Sequence, residues 1–318
     1  MTNPGDIVYF EGDYVTRDQA RVPITTHAFN YGTGCFEGIR AYWNAGREQL
    51  FVIRLHEHVE RLLRSARILH LEPDPALTAA HIEGVILELL ARNDYHQDVY
   101  IRPIIYKSGS TIKVSLGGIA TDFCVYTEPF GDYLDIRKGL SVMISAWRRI
   151  DDNAIPSRGK PTGAYINAAL ASDEARMRGF DEAILLTGDG HVAEASSSNL
   201  FLVQDHVLVT PQASDDVLVG ITRDCVMAIA RTQGITVQER RVDRSELLAA
   251  DELFLSGTGV QIAPITSVDG RVVGDGSLGP VTAAIQGEYL RLVRGDSQAM
   301  PHWLVAVAAL PQAAAPRS

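Results

Sequence analysis

The sequence predicts an α/β (α+β) protein in two parts, the second built on a mixed sheet or barrel. Three observations carry this. The chain has 318 residues, enough for two domains or one large one. Its first half sets two long helical patterns among strand-like runs. In its second half strands outnumber helices and hairpins dominate, which argues against a doubly wound parallel sheet. Glu128 to Arg137, with Pro129 and Gly131, reads as a linker. The predicted division is a small α/β domain over 1–128, a linker over 129–137 and a larger domain over 138–318.

The elements follow in order. Val8 to Phe10 and Asp13 to Val15 flank a turn at Glu11-Gly12, a hairpin. Glu37 to Trp43 reads as a strand, Asn44-Ala45-Gly46 turns it, and Leu50 to Arg54 returns. From His56 to Leu69, Val59, Leu62, Leu63, Ala66 and Leu69 fall on one helical face, with Arg61 and Arg64 off it. A second helix runs from about Thr78 to Asn93. Val99 to Tyr106 and Asp122 to Thr127 are strand-like, as is Leu140 to Trp147. A helix from about Ala164 to Arg178 stops at Gly179. Glu182 to Leu186 and His191 to Glu194 flank Gly188-Asp189-Gly190, a hairpin signal. Leu200 to Val203 pairs with Val207 to Thr210. Thr222 to Gln233 is helical and Thr236 to Val242 a strand. Ser245 caps a short helix, Glu252 to Ser256 is a strand, Val268 to Val273 a hairpin, and Pro280 to about Val293 a helix. The tail from Ala308 reads as frayed.

Composition narrows the function. Net charge is -10, which argues against nucleic acid or an anionic membrane surface as partner. No apolar run reaches the roughly 18 residues of a membrane helix, and Met1 to Phe10 does not read as a signal peptide. Cys35, Cys124 and Cys225 are odd in number and far apart. They form no disulfide framework or zinc spacing, so a reducing, cytoplasmic setting is expected. No metal is expected.

The chemistry gathers around Ile155-Pro156-Ser157-Arg158-Gly159-Lys160-Pro161-Thr162-Gly163-Ala164-Tyr165. The chain has four lysines, Lys107, Lys113, Lys138 and Lys160. Lys160, between glycine and proline, suits an amine that forms a Schiff base; it also reads as an ordinary loop lysine. Gly220-Ile221-Thr222 opens a helix, and Gly257-Thr258-Gly259 follows a strand. Each could cradle a phosphate, and each is also ordinary turn chemistry. Glu194 precedes Ala195-Ser196-Ser197-Ser198-Asn199 and reads as a strand end or as a carboxylate for a cationic ring nitrogen. His56-x-His58 lacks a third ligand. Gly274 to Gly279 spells G-x-G-x-x-G, but no second parallel strand with an acid follows, so it reads as a surface loop.

Taken together, several segments resemble the branched-chain amino acid aminotransferases, fold type IV pyridoxal-phosphate enzymes. They are Tyr31 to Arg40 with Phe36-Glu37-Gly38-Ile39-Arg40, His56 to Leu62, Tyr100-Ile101-Arg102-Pro103, the Lys160 loop with Tyr165, Asn199-Leu200-Phe201, Gly220 to Asp224, and Ser256-Gly257-Thr258. The resemblance spans roughly residues 5 to 295 in order. It implies a small α/β domain plus a larger one with a pseudo-barrel mixed sheet, and pyridoxal 5'-phosphate as cofactor. Lys160 would be the Schiff-base and proton-shuttling lysine. Glu194 would pair with the pyridine nitrogen, and Tyr165 would bond the phenolic oxygen. Arg61, Gly220, Ile221, Thr222, Gly257 and Thr258 would hold the phosphate, with Ser198 and Asn199 beside the cofactor.

The same resemblance places the substrate among Tyr31, Phe36, Gly38, Arg40, Tyr100, Arg102, Phe130, Thr258 and Gly259. Tyr31 would come from the neighbouring subunit of a homodimer, and Arg102 would meet the distal carboxylate of glutamate. The implied reaction moves the amino group of leucine, isoleucine or valine to 2-oxoglutarate. A relative acting on R-amines or D-amino acids is one rival, and a non-catalytic binding protein on this fold is another. Three departures bear on specificity: Ala195 to Ser198 in place of a glycine-rich run, Pro161-Thr162-Gly163 after the lysine, and a loop over Ser108 to Gly118 that carries Lys113.

Overall fold

The computed structural model describes residues 5–131 and 138–309. The first part of the chain runs β1 (Ile7–Phe10), β2 (Asp13–Thr16), α1 (His27–Tyr31), β3 (Gly34–Phe36), β4 (Ile39–Asn44), β5 (Gln49–Ile53), α2 (Leu55–Ile68), α3 (Ala79–Asn93), β6 (Val99–Lys107) and β7 (Thr121–Pro129). After the linker come β8 (Leu140–Arg148), α4 (Tyr165–Met177), β9 (Glu182–Leu186), β10 (Val192–Ala195), β11 (Asn199–Gln204), β12 (Val207–Thr210), α5 (Ile221–Thr232) and β13 (Thr236–Glu239). The last elements are β14 (Glu252–Gly257), β15 (Gln261–Val268), β16 (Arg271–Val272), α6 (Pro280–Val293) and β17 (Leu304–Ala306).

Two sheets result. One has the order β17-β5-β4-β6-β7-β1-β2, with β3 on β6; the other β10-β9-β8-β15-β14-β11-β12-β13, with β16 on β15. The second is mixed: β8 lies parallel to both β9 and β15, and β12 parallel to β13, while hairpins supply the antiparallel pairs. Beneath the first sheet the apolar faces of α2 and α3 meet Ile39, Val52, Ile101 and Ile105. The stripe Val59, Leu62, Ala66 read from the sequence is buried here. Against the second sheet α5 and α6 pack on Phe201 and Phe254, whose rings stack at 5.0 Å.

Several expectations change. β15 escapes the sequence pattern because Pro264 argues against a strand interior. Pro264 lies opposite Phe254, and pairing with β8 begins only at Ile265, so no ladder bond there needs its missing N–H. The short helix at 244–248 is capped by Asp243, not Ser245, in a reciprocal box with Glu246. The strand from Thr236 stops at Glu239. Helix α6 starts where the G-x-G-x-x-G ends, but its first N–H groups are already taken: Glu252 accepts from Val281 N and Thr282 N at 2.9 and 2.7 Å. β17 returns to pair with β5 and forms one edge of the first sheet. Of the linker, 132–137 lie outside the described residues, as does the tail from 310.

Candidate active site

Lys160 is fixed by its backbone. Its N–H donates to Ser65 Oγ at 3.2 Å, and its carbonyl accepts from Phe36 N at 3.1 Å. Cys35 makes a bridge to Pro161 on the same side. The loop passes close to Gly32, whose φ is +65° and whose missing Cβ would lie 2.7 Å from Gly163 Cα. Glycine is needed at that crossing. With the backbone held, Lys160 Nζ donates to Tyr165 Oη at 2.7 Å. Tyr165 stands at the start of α4, and its ring meets Phe36 edge-on at 4.7 Å.

Two cavities meet at this pair. The inner one, about 750 Å³ including its mouth, is lined by Arg61, Glu194, Ser198, Asn199, Gly220, Ile221, Thr222, Ser256, Gly257 and Thr258. The outer one, about 1020 Å³ including open solvent, is lined by Phe36, Gly38, Tyr100, Arg102, Phe130, Thr258 and Gly259. Lys160, Tyr165, Ser197 and Thr258 belong to both. The structure thus brings together nearly all the residues expected around a cofactor and a substrate.

The inner cavity has an anionic wall and a cationic end. On the wall, buried Glu194 is the third residue of β10. Its Oε2 accepts from Asn199 Nδ2 at 2.9 Å and Leu218 N at 3.2 Å, and its Oε1 faces Arg149 Nε at 2.9 Å. Burial pushes the Glu194 carboxyl up, while Arg149 and the Leu218 N–H pull the other way. A buried carboxylate on this wall suits a protonated ring nitrogen. At the cationic end, α2 carries His58, Arg61 and Ser65 on one face. Arg61 makes a bidentate pair with Glu37, Nε to Oε1 at 2.6 Å and Nη2 to Oε2 at 2.8 Å. Its Nη1 donates to Val219 O at 2.7 Å, beside Gly220. His58 adds a 2.8 Å bond to Glu37. Burial alone would push the Glu37 carboxyl up, but Arg61 and His58 hold it well below the usual carboxylate range. Breaking such a buried pair costs about 3–5 kcal/mol.

The same end offers free donors. Helix α5 begins after Gly220 with no side-chain cap, so its first N–H groups face the cavity unpaired by any cap. Gly220 cannot carry a side chain, because a Cβ would lie 2.0 Å from Asn199 Oδ1. The Ser198 and Ser256 hydroxyls are buried without a partner and line this cavity. Orphaned donors, a helix N-terminus and an arginine together could hold a phosphate, with the lysine amine and Glu194 along the adjoining wall. The residues present therefore fit a phosphorylated, aldehyde-bearing ring.

In the outer cavity Arg102 donates from Nη2 to Tyr100 Oη at 2.8 Å, and its guanidinium lies 4.3 Å over the Phe36 ring. Its Nε is buried without a partner. Gly38 leaves room for the Tyr100 hydroxyl, which would lie 2.2 Å from a Cβ there. Two expected residues are elsewhere. Arg40 is fully buried behind the pocket and does not line it, which removes it from the direct substrate contacts. Tyr31 lies outside its own chain's pocket and donates to Ile112 O at 2.9 Å. The Ser108 to Gly118 loop also stays away from that pocket, with Lys113 exposed and its carbonyl bonded to His27. His56 and His58 face different partners, Glu83 and Glu37.

Sequence reasoning misses several residues of the site. Ser65 is findable, since it follows Arg61 by one helical turn. Glu37 sits inside the Phe36-to-Arg40 motif, where spacing alone gives it no role. Arg149, Leu218, Tyr126 and Glu128 carry no local signal; only folding brings them to the cavities.

Comparison with known proteins agrees with this geometry. The family model for class IV amino-transferases matches residues 34–268. The chain is similar to a protein of Aquifex aeolicus named "Probable branched-chain-amino-acid aminotransferase", 43% identical over 303 residues, covering 95% of this chain and 97% of that protein. Among solved structures it resembles the branched-chain aminotransferase from the archaeon Thermoproteus uzoniensis with norvaline. There the TM-score is 0.91 and identity 41%, over 96% of this chain and 100% of that one. It also resembles the branched-chain amino acid aminotransferase from Thermobaculum terrenum in its PLP-form, with TM-score 0.91 and 34% identity, over 96% and 100% of the two chains.

Proposed function

The chain belongs to the class IV aminotransferase family, and from that premise we propose that it moves the amino group of branched-chain L-amino acids to 2-oxoglutarate on pyridoxal 5'-phosphate. The fold is fold type IV. The observation that carries the reading is the Lys160 amine, 2.7 Å from Tyr165 Oη, at the junction of the two cavities.

When bound, the cofactor supplies an electron sink for the carbanion formed at the substrate alpha carbon. This chain's residues do the rest. Lys160 would tether the cofactor through its amine and, when free of it, would carry the proton to and from the substrate alpha carbon. Tyr165 holds the Lys160 nitrogen and would bond the phenolic oxygen of the ring. Glu194, held by Asn199, Leu218 and Arg149, keeps the ring nitrogen protonated. Arg61, oriented by Glu37, grips the phosphate with the N–H groups of Ile221 and Thr222, the Thr258 turn, and the Ser198 and Ser256 hydroxyls. At the outer cavity Thr258, Gly259 and Tyr100 receive the alpha-carboxylate, and Phe36 and Phe130 wall the aliphatic side chain.

Arg102 supplies the second specificity. Its unpartnered Nε and remaining donors, over an aromatic wall, form a receptor for the distal carboxylate of glutamate. Arg102→Ala is expected to lower kcat/KM for glutamate and 2-oxoglutarate about tenfold or more beyond its effect on leucine, the value of one charge-assisted hydrogen bond. Steady-state assays on the two amino donors check this, and equal losses would remove the role.

A homodimer belongs to the same reading. Ile24, Phe29, Ile112 and Val114 are 80%, 68%, 90% and 84% exposed. They lie on segments joined by the Thr25–Ser110 and Tyr31–Ile112 bonds, so they form one apolar face. A second copy covering it would carry Tyr31 and the 108–118 loop toward its partner's pocket. Light scattering that finds a single chain in an active preparation would sink this. The two-part division at residues 129–137 and a cytoplasmic setting complete the proposal; the second is supported by three cysteines that are all free.

A further inference from the structure

We infer that Arg40 is a positioning residue for the substrate pocket, acting through the carbonyls of two of its walls. This rests on the aminotransferase reading above. The guanidinium is fully buried. One Nη donates to Gly259 O at 3.3 Å, and the other to Phe130 O at 3.1 Å and Gly131 O at 2.8 Å. Its Cζ lies 5.1 Å from the Phe130 ring centroid and 5.0 Å from that of Tyr42. Among the described residues the carboxylate paired with it is Asp98, 3.7 Å away, which also accepts from Arg294 at 2.8 Å.

The two segments it grips lie far apart in the chain. Phe130 and Gly131 follow β7, while Gly259 follows β14. Both Phe130 and Gly259 line the outer cavity, and Arg40 stands behind them. The carbonyls of the two segments cannot bond each other, since a carbonyl oxygen only accepts, and the cation bridges them. The planar fork suits this geometry because it spans several acceptors at fixed angles, which an ammonium cannot match. Fixing the Gly259 carbonyl also fixes its peptide plane. The N–H of Val260 lies antiparallel to that carbonyl and so points away from Arg40. Phe130 is held a second time, its N–H donating to Asp98 O at 2.9 Å. The alpha-carboxylate turn and the aromatic wall of the pocket are thus placed by one side chain that no substrate reaches.

The test compares wild type, Arg40→Lys and Arg40→Met as holoenzymes. Three quantities are read: cofactor affinity by absorbance titration, KM and kcat for leucine and for glutamate, and the Kd of 4-methylpentanoic acid, a leucine-shaped acid that cannot react. A misplaced wall is expected to raise both KM values and that Kd by roughly tenfold or more. Leucine and glutamate should suffer by the same factor, Lys should be milder than Met, and cofactor affinity should stay near wild type. Unchanged KM and Kd in Arg40→Lys would overturn the inference, and so would a loss confined to glutamate or one that tracks cofactor occupancy. Should Arg40→Met not fold, Arg40→Lys decides alone. A wild type that binds the acid but transaminates neither donor would sink the functional reading, and the Kd comparison would still judge Arg40.

Discussion

Lys160→Ala is expected to abolish transamination, by at least about a thousandfold in kcat, while the protein still binds pyridoxal 5'-phosphate. The two outcomes separate because the structure separates their causes. The amine stands at the junction of the cavities, bonded to Tyr165 Oη at 2.7 Å. The proposed phosphate donors are on other elements: Arg61 on α2, Ile221 and Thr222 at the head of α5, Thr258 after β14. Removing the amine would take away the proposed tether and proton carrier, yet leave every proposed phosphate donor in place. Equilibrium dialysis should find bound cofactor that borohydride no longer fixes to the chain. Turnover near the wild-type rate would show that another residue carries the proton.

Glu194→Gln is expected to cost about a hundredfold in kcat, the value of roughly 3 kcal/mol for a lost charge-assisted bond to the ring. The amide keeps the shape, so Asn199 and Leu218 can stay near, but it carries no negative charge to hold a proton on the ring nitrogen. Linkage gives the accompanying sign. Burial raises the Glu194 carboxyl above its ordinary value in the cofactor-free chain. Ionised Glu194 therefore costs stability at pH above that raised value, and the cost is relieved as pH falls through it. Without cofactor, Glu194→Gln should lose that pH dependence of melting. An unchanged kcat in the variant would remove Glu194 from the chemistry.

Local rules made most of the fold legible. The apolar stripe of α2, the Gly188-Asp189-Gly190 hairpin and the Gly179 stop of α4 are all short-range signals, and the structure has them. β15 failed because Pro264 obeys a tertiary fact: it sits just before the β8 pairing begins. β17 failed because three residues have too little pattern to announce a strand. At the site, the motif residues came into view through a resemblance that no single segment supplied. Arg149 and Leu218 stayed hidden because their value depends on Glu194, 45 and 24 residues away in the chain. Arg40 was seen but misplaced. Spacing in Phe36-Glu37-Gly38-Ile39-Arg40 puts Phe36, Gly38 and Arg40 on one strand face, yet it cannot say that Phe130 and Gly259 line the outer cavity while Arg40 does not.

The most direct test is the visible absorption spectrum of the purified holoenzyme, taken before and after leucine and again after 2-oxoglutarate. The account predicts that leucine alone removes the long-wavelength band, that 2-oxoglutarate restores it, and that 4-methyl-2-oxopentanoate and then glutamate appear in equal amounts. A band that leucine leaves unchanged, in protein shown to hold the cofactor, would contradict it.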